Sequence, residues 1–333
     1  MSSKKLNPPP RFRLAMLPTP IELFGLSPVP DSGIDIFIKR DDLTGSELTG
    51  NKIRKLEFIL YDAISNGHDT LITCGGTGSN HCRATAALAA RAGLECELIL
   101  KGKRPSIPDG NLLLDTLYGA RLNFISERKY ESSIHTILSD RADRLAAKGR
   151  KPYIIPEGAS NPLGVWGYFL AGIEMKRQLD KASIKADTVV CAVGSGGTYA
   201  GLYLASLYLN WPVRLIGFAV NRDCLYFTKQ IINLADSFVD RYNLRLKPSI
   251  SDIEIDDAYI GPGYAKIGGR EASFIKGVAR NDGIVLDPAY TAKAMFGLFD
   301  YMIKGKIEPK AKVVFIHTGG LPSVFPYRKY FHK

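Results

Sequence analysis

Short β-branched runs alternate along this chain with longer stretches in which apolar residues recur every three or four positions. The pattern predicts a strand at Ile34–Lys39 and a helix from Asn51 to about Ser65, where Ile53, Leu56, Leu60, Ala63 and Ile64 form one stripe. Strand Thr70–Cys74, helix Ser79–Ala92, strand Cys96–Leu100, helix Asn111–Tyr118, strand Arg121–Ile125 and a long helix around His135–Ala147 follow. The rhythm continues with Tyr153–Ile155, helix Leu163–Leu179, strand Thr188–Val193, helix Thr198–Leu209 and strand Val213–Ala219. Helical stretches at Leu225–Tyr242, Ala272–Arg280 and Thr291–Ile303 precede a last strand, Val313–His317. Parallel strands need long crossovers, which this alternation supplies, so an α/β fold built on open, mostly parallel sheet with helices on both faces is expected. Ligands then belong beyond the carboxyl ends of the strands. Lys101–Gly110 reads as a loop and Leu246–Asp257 as an irregular connection, and composition marks no domain boundary.

With 45% hydrophobic and 23% charged residues over 333 positions, the chain has material for a core, which excludes disordered and fibrous classes. The net charge is +11, but Lys and Arg are spread without interleaved aromatics. Anionic small molecules or a solvated surface therefore explain the charge better than nucleic acid, and no nucleic-acid partner is expected. No run of about 18 apolar residues occurs, and Met1–Ala15 holds basic residues and prolines without an apolar segment. A soluble, cytoplasmic protein without membrane association is the expectation. Five cysteines without a CxxC pair fit a reducing compartment. His68, His81, His135, His317 and His332 are isolated, so no metal site is expected.

Three strand-to-helix junctions carry the candidate chemistry. Val193-Gly194-Ser195-Gly196-Gly197-Thr198 is glycine-rich at a helix start, where free backbone N–H groups favour a phosphate. It matches neither a P-loop nor GxGxxG, and a tight turn is its plainer meaning. Gly75-Gly76-Thr77-Gly78-Ser79-Asn80-His81 offers backbone, Ser and Asn donors to a carboxylate, or else Ser79 or Asn80 simply caps the helix. Lys52 follows Gly50-Asn51 at the start of the first long helix, the wrong end for a cation beside the helix dipole. Such a lysine is ordinarily solvated; if it is functional, the dipole lowers its pKa and suits a Schiff-base amine, with Lys55 one turn on available for a phosphate.

Together, Gly50-Asn51-Lys52-Ile53-Arg54-Lys55-Leu56-Glu57, Ser79-Asn80-His81, Gly194-Ser195-Gly196-Gly197-Thr198 and His317-Thr318-Gly319-Gly320 resemble the D-cysteine desulfhydrase and aminocyclopropane-carboxylate deaminase family. These are pyridoxal-phosphate enzymes of the tryptophan-synthase-β fold type. The resemblance runs from about Leu17 to Pro326 and includes Pro18-Thr19-Pro20, Lys39-Arg40-Asp41-Asp42, Gly261-Pro262-Gly263-Tyr264 and Asp287-Pro288-Ala289-Tyr290-Thr291. It implies two open sheets in two domains: residues 1–52 plus 161–333 as the large cofactor-binding domain and 53–160 as the small one. It also implies a homodimer.

By this resemblance Lys52 carries pyridoxal 5′-phosphate, Lys55 and the segment Val193, Gly194, Ser195, Gly196, Gly197 and Thr198 hold its phosphate, and Asn80 meets its 3′ oxygen. Tyr290 stacks on the ring, with Thr291 and Thr318 also against the cofactor. Ser79, Asn80 and His81 receive the carboxylate of a small amino acid, and Tyr264 stands near the leaving group. Lys52, Ser79, Tyr264 and Tyr290 form the implied catalytic set.

Thr291 stands where the ring-opening deaminases carry Glu, and Thr318 where they carry Leu. A neutral hydroxyl supports the pyridine nitrogen less than a carboxylate does, which favours elimination of a good leaving group over opening a cyclopropane. The expectation is therefore a β-elimination lyase, with D-cysteine as leading substrate. The alternatives are the deaminase, a lyase for cysteate or another β-substituted amino acid, and a silent binder of the amino acid or cofactor. Thr77-Gly78 and Ala265-Lys266 depart from the family's commoner residues beside the substrate pocket.

Overall fold

The computed structural model describes residues 6–25 and 27–331; His332 and the first five residues of the basic N-terminal stretch lie outside them. The chain forms β1 (Ile21–Phe24), β2 (Asp35–Arg40), α1 (Lys52–Ser65), β3 (Thr70–Gly76), α2 (Asn80–Ala92), β4 (Glu95–Lys101), α3 (Asn111–Leu117) and β5 (Arg121–Ile125). Next come α4 (Glu127–Ala146), β6 (Pro152–Ile154), α5 (Pro162–Lys181), β7 (Thr188–Val193), α6 (Gly197–Leu209), β8 (Arg214–Ala219) and α7 (Cys224–Arg241). The chain closes with β9 (Glu254–Asp256), α8 (Gly269–Asp282), α9 (Thr291–Ile303) and β10 (Lys312–His317).

The strands make two sheets. One is six-stranded, in the order β1-β2-β10-β7-β8-β9, and the other four-stranded, in the order β5-β4-β3-β6. All pairings are parallel except β1 with β2 at the edge. The four-stranded sheet, residues 70–154, is inserted between β2 and β7 of the larger one, so strands from both chain ends complete the six-stranded sheet.

The period-2 alternation of strands divides the core. In β7, Val189, Cys191 and Val193 join the cluster under α5 and α6, while Val190 and Ala192 join the one under α8 and α9. In the smaller sheet, Leu98 and Leu100 face the first cluster, and Ile72, Cys74 and Ile99 face Tyr130, Leu138 and Leu145 of α4. Both sheets are thus covered on both faces, as parallel strands require.

The observed elements differ from the expectations in three places. β1 and β9 are additional; β9 lies inside the stretch read as irregular, where three residues pair with β8. Helix α4 begins at Glu127, well before His135, because the Ser126 hydroxyl caps it by accepting from the Lys129 N–H at 3.3 Å. Its first two turns bury a single side chain, Tyr130, among polar residues, too little for an apolar stripe to reveal them.

Helix α1 lies directly on α5: a Cβ at Gly167 would fall 2.5 Å from the Arg54 carbonyl. At that contact Arg54 makes two bonds to Asp41, both 2.8 Å, and two more to Glu174 at 2.9 and 3.0 Å. Asp41 is fully buried and also accepts from Thr19 and Tyr168. Removing one partner would strand a buried charge, at a cost of about 3–5 kcal/mol. This network fixes the first turn of α1, which carries Lys52 and Lys55.

Candidate active site

The carboxyl ends of β7 and β10 and the starts of α1, α2 and α6 converge on one cavity. Lys52, Asn80, Val193, Gly194, Ser195, Gly196, Thr198, Tyr290 and Thr318 line it, together with Asn51, Ala192 and Tyr199. Gly50 makes the junction possible. Its φ is +100°, and a Cβ there would sit 2.8 Å from the Thr318 carbonyl, which instead accepts the Asn51 N–H at 3.1 Å.

Lys52 is buried, and its Nζ lies 5.9 Å from the Tyr290 ring centroid. Burial lowers its pKa to about 8, while the charges of Glu157 and Asp287 act in the opposite sense. The amine is therefore far closer to its neutral, nucleophilic form at physiological pH than an ordinary lysine.

Lys55 is fully buried behind the glycine loop, where among the described residues its Nζ hydrogen-bonds only the Gly158 carbonyl at 3.3 Å and the Ser160 hydroxyl at 3.5 Å. Burial, then the Lys52 charge, pushes its pKa well below that of a free lysine. A Cβ at Gly197 would lie 2.8 Å from this Nζ, and one at Gly194 would lie 2.7 Å from the Tyr290 ring. A side chain at either position would fill the cradle that the glycines leave. The Ser160 hydroxyl contacts Ser195 Oγ at 2.8 Å and accepts from the Gly197 N–H at 3.2 Å. A buried lysine, helix-start N–H groups and two hydroxyls around a glycine hollow are the donor set of a phosphate. The residues present fit pyridoxal 5′-phosphate: a reactive amine, a flat wall formed by Tyr290, and a phosphate cradle at the far end.

At the start of α2 the Ser79 hydroxyl accepts from the Cys82 N–H at 3.2 Å, so it does cap the helix. The N–H groups of Asn80 and His81 open the helix and have no carbonyl within it to receive them. Asn80 Oδ1 accepts from Asn111 Nδ2 at 2.8 Å, and Asn111 Nδ2 also donates to the Gly78 carbonyl at 2.8 Å. Asn111 thereby turns the Asn80 NH2 group toward the cavity. The Thr73 hydroxyl donates to the Ile155 carbonyl and so accepts from His81 Nε2, both at 2.8 Å. Burial and the neighbouring lysines keep the His81 ring neutral, and its Nδ1 has no partner among the described residues. What His81 offers an anion is its backbone N–H and not a cationic ring.

A wider cleft shares Gly194 and Ser195 with the cavity and continues past Tyr264, Gly76, Cys74, Tyr130, Lys101 and Glu157. The hydroxyls of Tyr264 and Tyr290 meet at 2.7 Å, with their rings edge-to-face. Burial, then the neighbouring Tyr290, holds the Tyr264 phenol protonated far above neutrality. Of the expected cofactor contacts, Lys55, Gly197 and Thr291 do not line the cavity; Lys55 and Gly197 lie just behind it, whereas the Thr291 hydroxyl is turned to the backbone and accepts the Asp287 N–H at 2.7 Å. The same Asp287 takes the N–H groups of Tyr290 and Thr291, closing the turn that opens α9.

Sequence reasoning did not single out Asn51, Asn111, Glu157, Ser160 or Lys101. Ser160-Asn161-Pro162 carried a usable signal, a capping residue and proline after a strand, the same junction that marked the other loops. Asn111 and Glu157 carried none, since each gains its meaning only from the neighbouring sheet's loops.

Residues 12–319 match the pyridoxal-phosphate dependent enzyme family. A bifunctional D-cysteine desulfhydrase/1-aminocyclopropane-1-carboxylate deaminase of Arabidopsis thaliana, a mitochondrial protein, is 40% identical over 326 residues, covering 94% of this chain and 79% of its own. A D-cysteine desulfhydrase of Klebsiella pneumoniae is 38% identical over 333 residues, covering 98% and 99%. A solved structure of an ACC deaminase homologue superimposes with a TM-score of 0.87 at 38% identity, covering 97% of this chain and 96% of the other.

Proposed function

This chain belongs to the pyridoxal-phosphate dependent enzyme family, and from that premise we propose that it is a lyase removing the β-substituent of a small amino acid, D-cysteine first among them. Pyridoxal phosphate, when bound, supplies the electron sink that makes the substrate's Cα–H acidic. The observation that carries the reading is Lys52, a buried amine with a pKa of about 8 opening between the Tyr290 ring and the start of α2. At pH 7 about a tenth of such an amine is unprotonated and able to accept the Cα proton.

The N–H groups opening α2 and the Ser79 hydroxyl orient the substrate carboxylate, and Asn80, aimed by Asn111, supplies a donor to the cofactor's ring oxygen. Lys55 and the Gly194–Thr198 loop bind the phosphate. Tyr264, a phenol held protonated beside Tyr290, is the hydroxyl available to a leaving thiolate as the Cβ–S bond breaks. Elimination releases sulfide and 2-aminoacrylate, which takes up one water to give pyruvate and ammonia. Thr291 is neutral and its hydroxyl is committed to Asp287, so this position would offer the cofactor no carboxylate, which supports elimination over ring opening. Ring opening of aminocyclopropane-carboxylate stands as the second reading, because the Arabidopsis relative's name carries both activities. Among the described residues no helix is long and apolar enough to cross a membrane. Our reading is of a cytoplasmic homodimer divided into residues 53–160 and the remainder.

The test is a product panel: pyruvate, sulfide and 2-oxobutanoate measured from D- and L-cysteine, D-cysteate, 3-chloro-D-alanine and aminocyclopropane-carboxylate. Pyruvate and sulfide from D-cysteine should outpace 2-oxobutanoate. Faster ring opening would overturn the choice of reaction.

A further inference from the structure

The segment carrying Tyr264 has almost no secondary structure of its own to hold it. Between β9 and α8 the backbone forms only turns, with positive φ at Gly261, Gly263 and Ala265. It is pinned from outside. Lys293, in the first turn of α9, reaches across and donates from Nζ to the carbonyls of Ile260 at 2.6 Å and Gly263 at 2.5 Å. Helix α9 is also the helix whose first residue follows Tyr290.

A buried lysine is an expensive way to satisfy two carbonyls. Lys293 is 2% exposed and stands at the positive end of a helix, where a cation is unfavourable. The carboxylates whose charges act on it are engaged elsewhere: Glu271 accepts the Gly268 N–H at 2.8 Å, and Asp287 accepts from Ser323, Tyr290 and Thr291. Burial draws its pKa down to about 8, against the pull of Glu271 and Asp287. The hydrogen bonds to the Tyr264 loop are what the ammonium gains in return.

We propose that Lys293 is a positioning residue for the reaction: it clamps the Ile260–Gly263 backbone to α9 and so holds the Tyr264 hydroxyl against Tyr290. The inference rests on the reading of Tyr264 as the hydroxyl serving the leaving group. It assigns Lys293 no contact with substrate. Loss of the clamp leaves Tyr264 present but unplaced, and a misplacement of about 1 Å can cost roughly 100-fold in turnover.

Two measurements test it. In the protein without substrate, hydrogen–deuterium exchange of a peptide spanning 258–268 should be at least about tenfold faster in Lys293→Met, with the remainder of the chain unchanged. In the holoenzyme, Lys293→Met should lower kcat roughly 10- to 100-fold with little change in KM. In a Tyr264→Phe background the same substitution should cost less than about twofold, because residues acting as a unit are not additive. Lys293→Gln, which can satisfy one carbonyl, should fall between the two, and propylammonium should restore part of the kcat of Lys293→Ala. If Lys293→Met destabilises the whole protein, Lys293→Gln carries the cycle. Unchanged exchange at 258–268 overturns the clamp whatever the substrate is, while faster exchange with additive kinetic losses overturns its link to Tyr264.

Discussion

Replacing Lys55 by Met should move the empty and the loaded protein in opposite directions. The Lys55 Nζ is fully buried, with a carbonyl at 3.3 Å and a hydroxyl at 3.5 Å as its only bonds among the described residues, and its pKa is depressed by burial and then by Lys52. A depressed lysine means that the unfolded chain binds more protons, so apoprotein stability rises with pH from the depressed value up to 10.5. Lys55→Met removes that rise and should unfold at a higher temperature than wild type at pH 7. Cofactor binding should weaken, because a hydrogen bond to a charged group is worth about 1.5–3 kcal/mol, or roughly 10- to 150-fold in Kd. Titration of both apoproteins with pyridoxal phosphate and with pyridoxal isolates the effect: the wild-type preference for the phosphorylated form should shrink by that factor, while pyridoxal binds both alike. Equal losses for the two ligands would refute the assignment of Lys55 to the phosphate.

Glu157→Gln removes a charge that raises the Lys52 pKa, so that pKa should fall below about 8, read from the pH dependence of Lys52 acylation in the apoprotein; an upward shift would contradict the assignment. Asn111→Asp sets a carboxylate against the Asn80 and Gly78 oxygens that now accept from Asn111 Nδ2. It should cost more stability and more cofactor affinity than Asn111→Ala, itself about 1–3 kcal/mol destabilising by chemical denaturation.

Most helices were legible because each buries one stripe whose period shows in the sequence, and the parallel strands because, buried on both faces, they read as short apolar runs, as in Thr188–Val193. β1 and β9 were not legible: Ile21–Phe24 and Glu254–Asp256 are short edge strands whose pairing is decided by the neighbouring strand. The candidate site was legible where glycine or a misplaced charge marks a helix start, at Gly194–Thr198 and Lys52. It was illegible where the chemistry is relational. Asn111 acts by turning Asn80, His81 is neutral because of its burial and two lysines, and Thr291 spends its hydroxyl on Asp287. Lys293 reads as one more surface lysine until the Tyr264 loop is placed against it.

The central claim is that the amine of Lys52, and of no other lysine, carries the cofactor. Borohydride reduction of the holoenzyme, followed by proteolysis and mass mapping, should find the pyridoxyl group on the peptide containing Lys52, and Lys52→Ala should yield no stoichiometric label. Stoichiometric label on another lysine, or undiminished label in Lys52→Ala, would contradict the account.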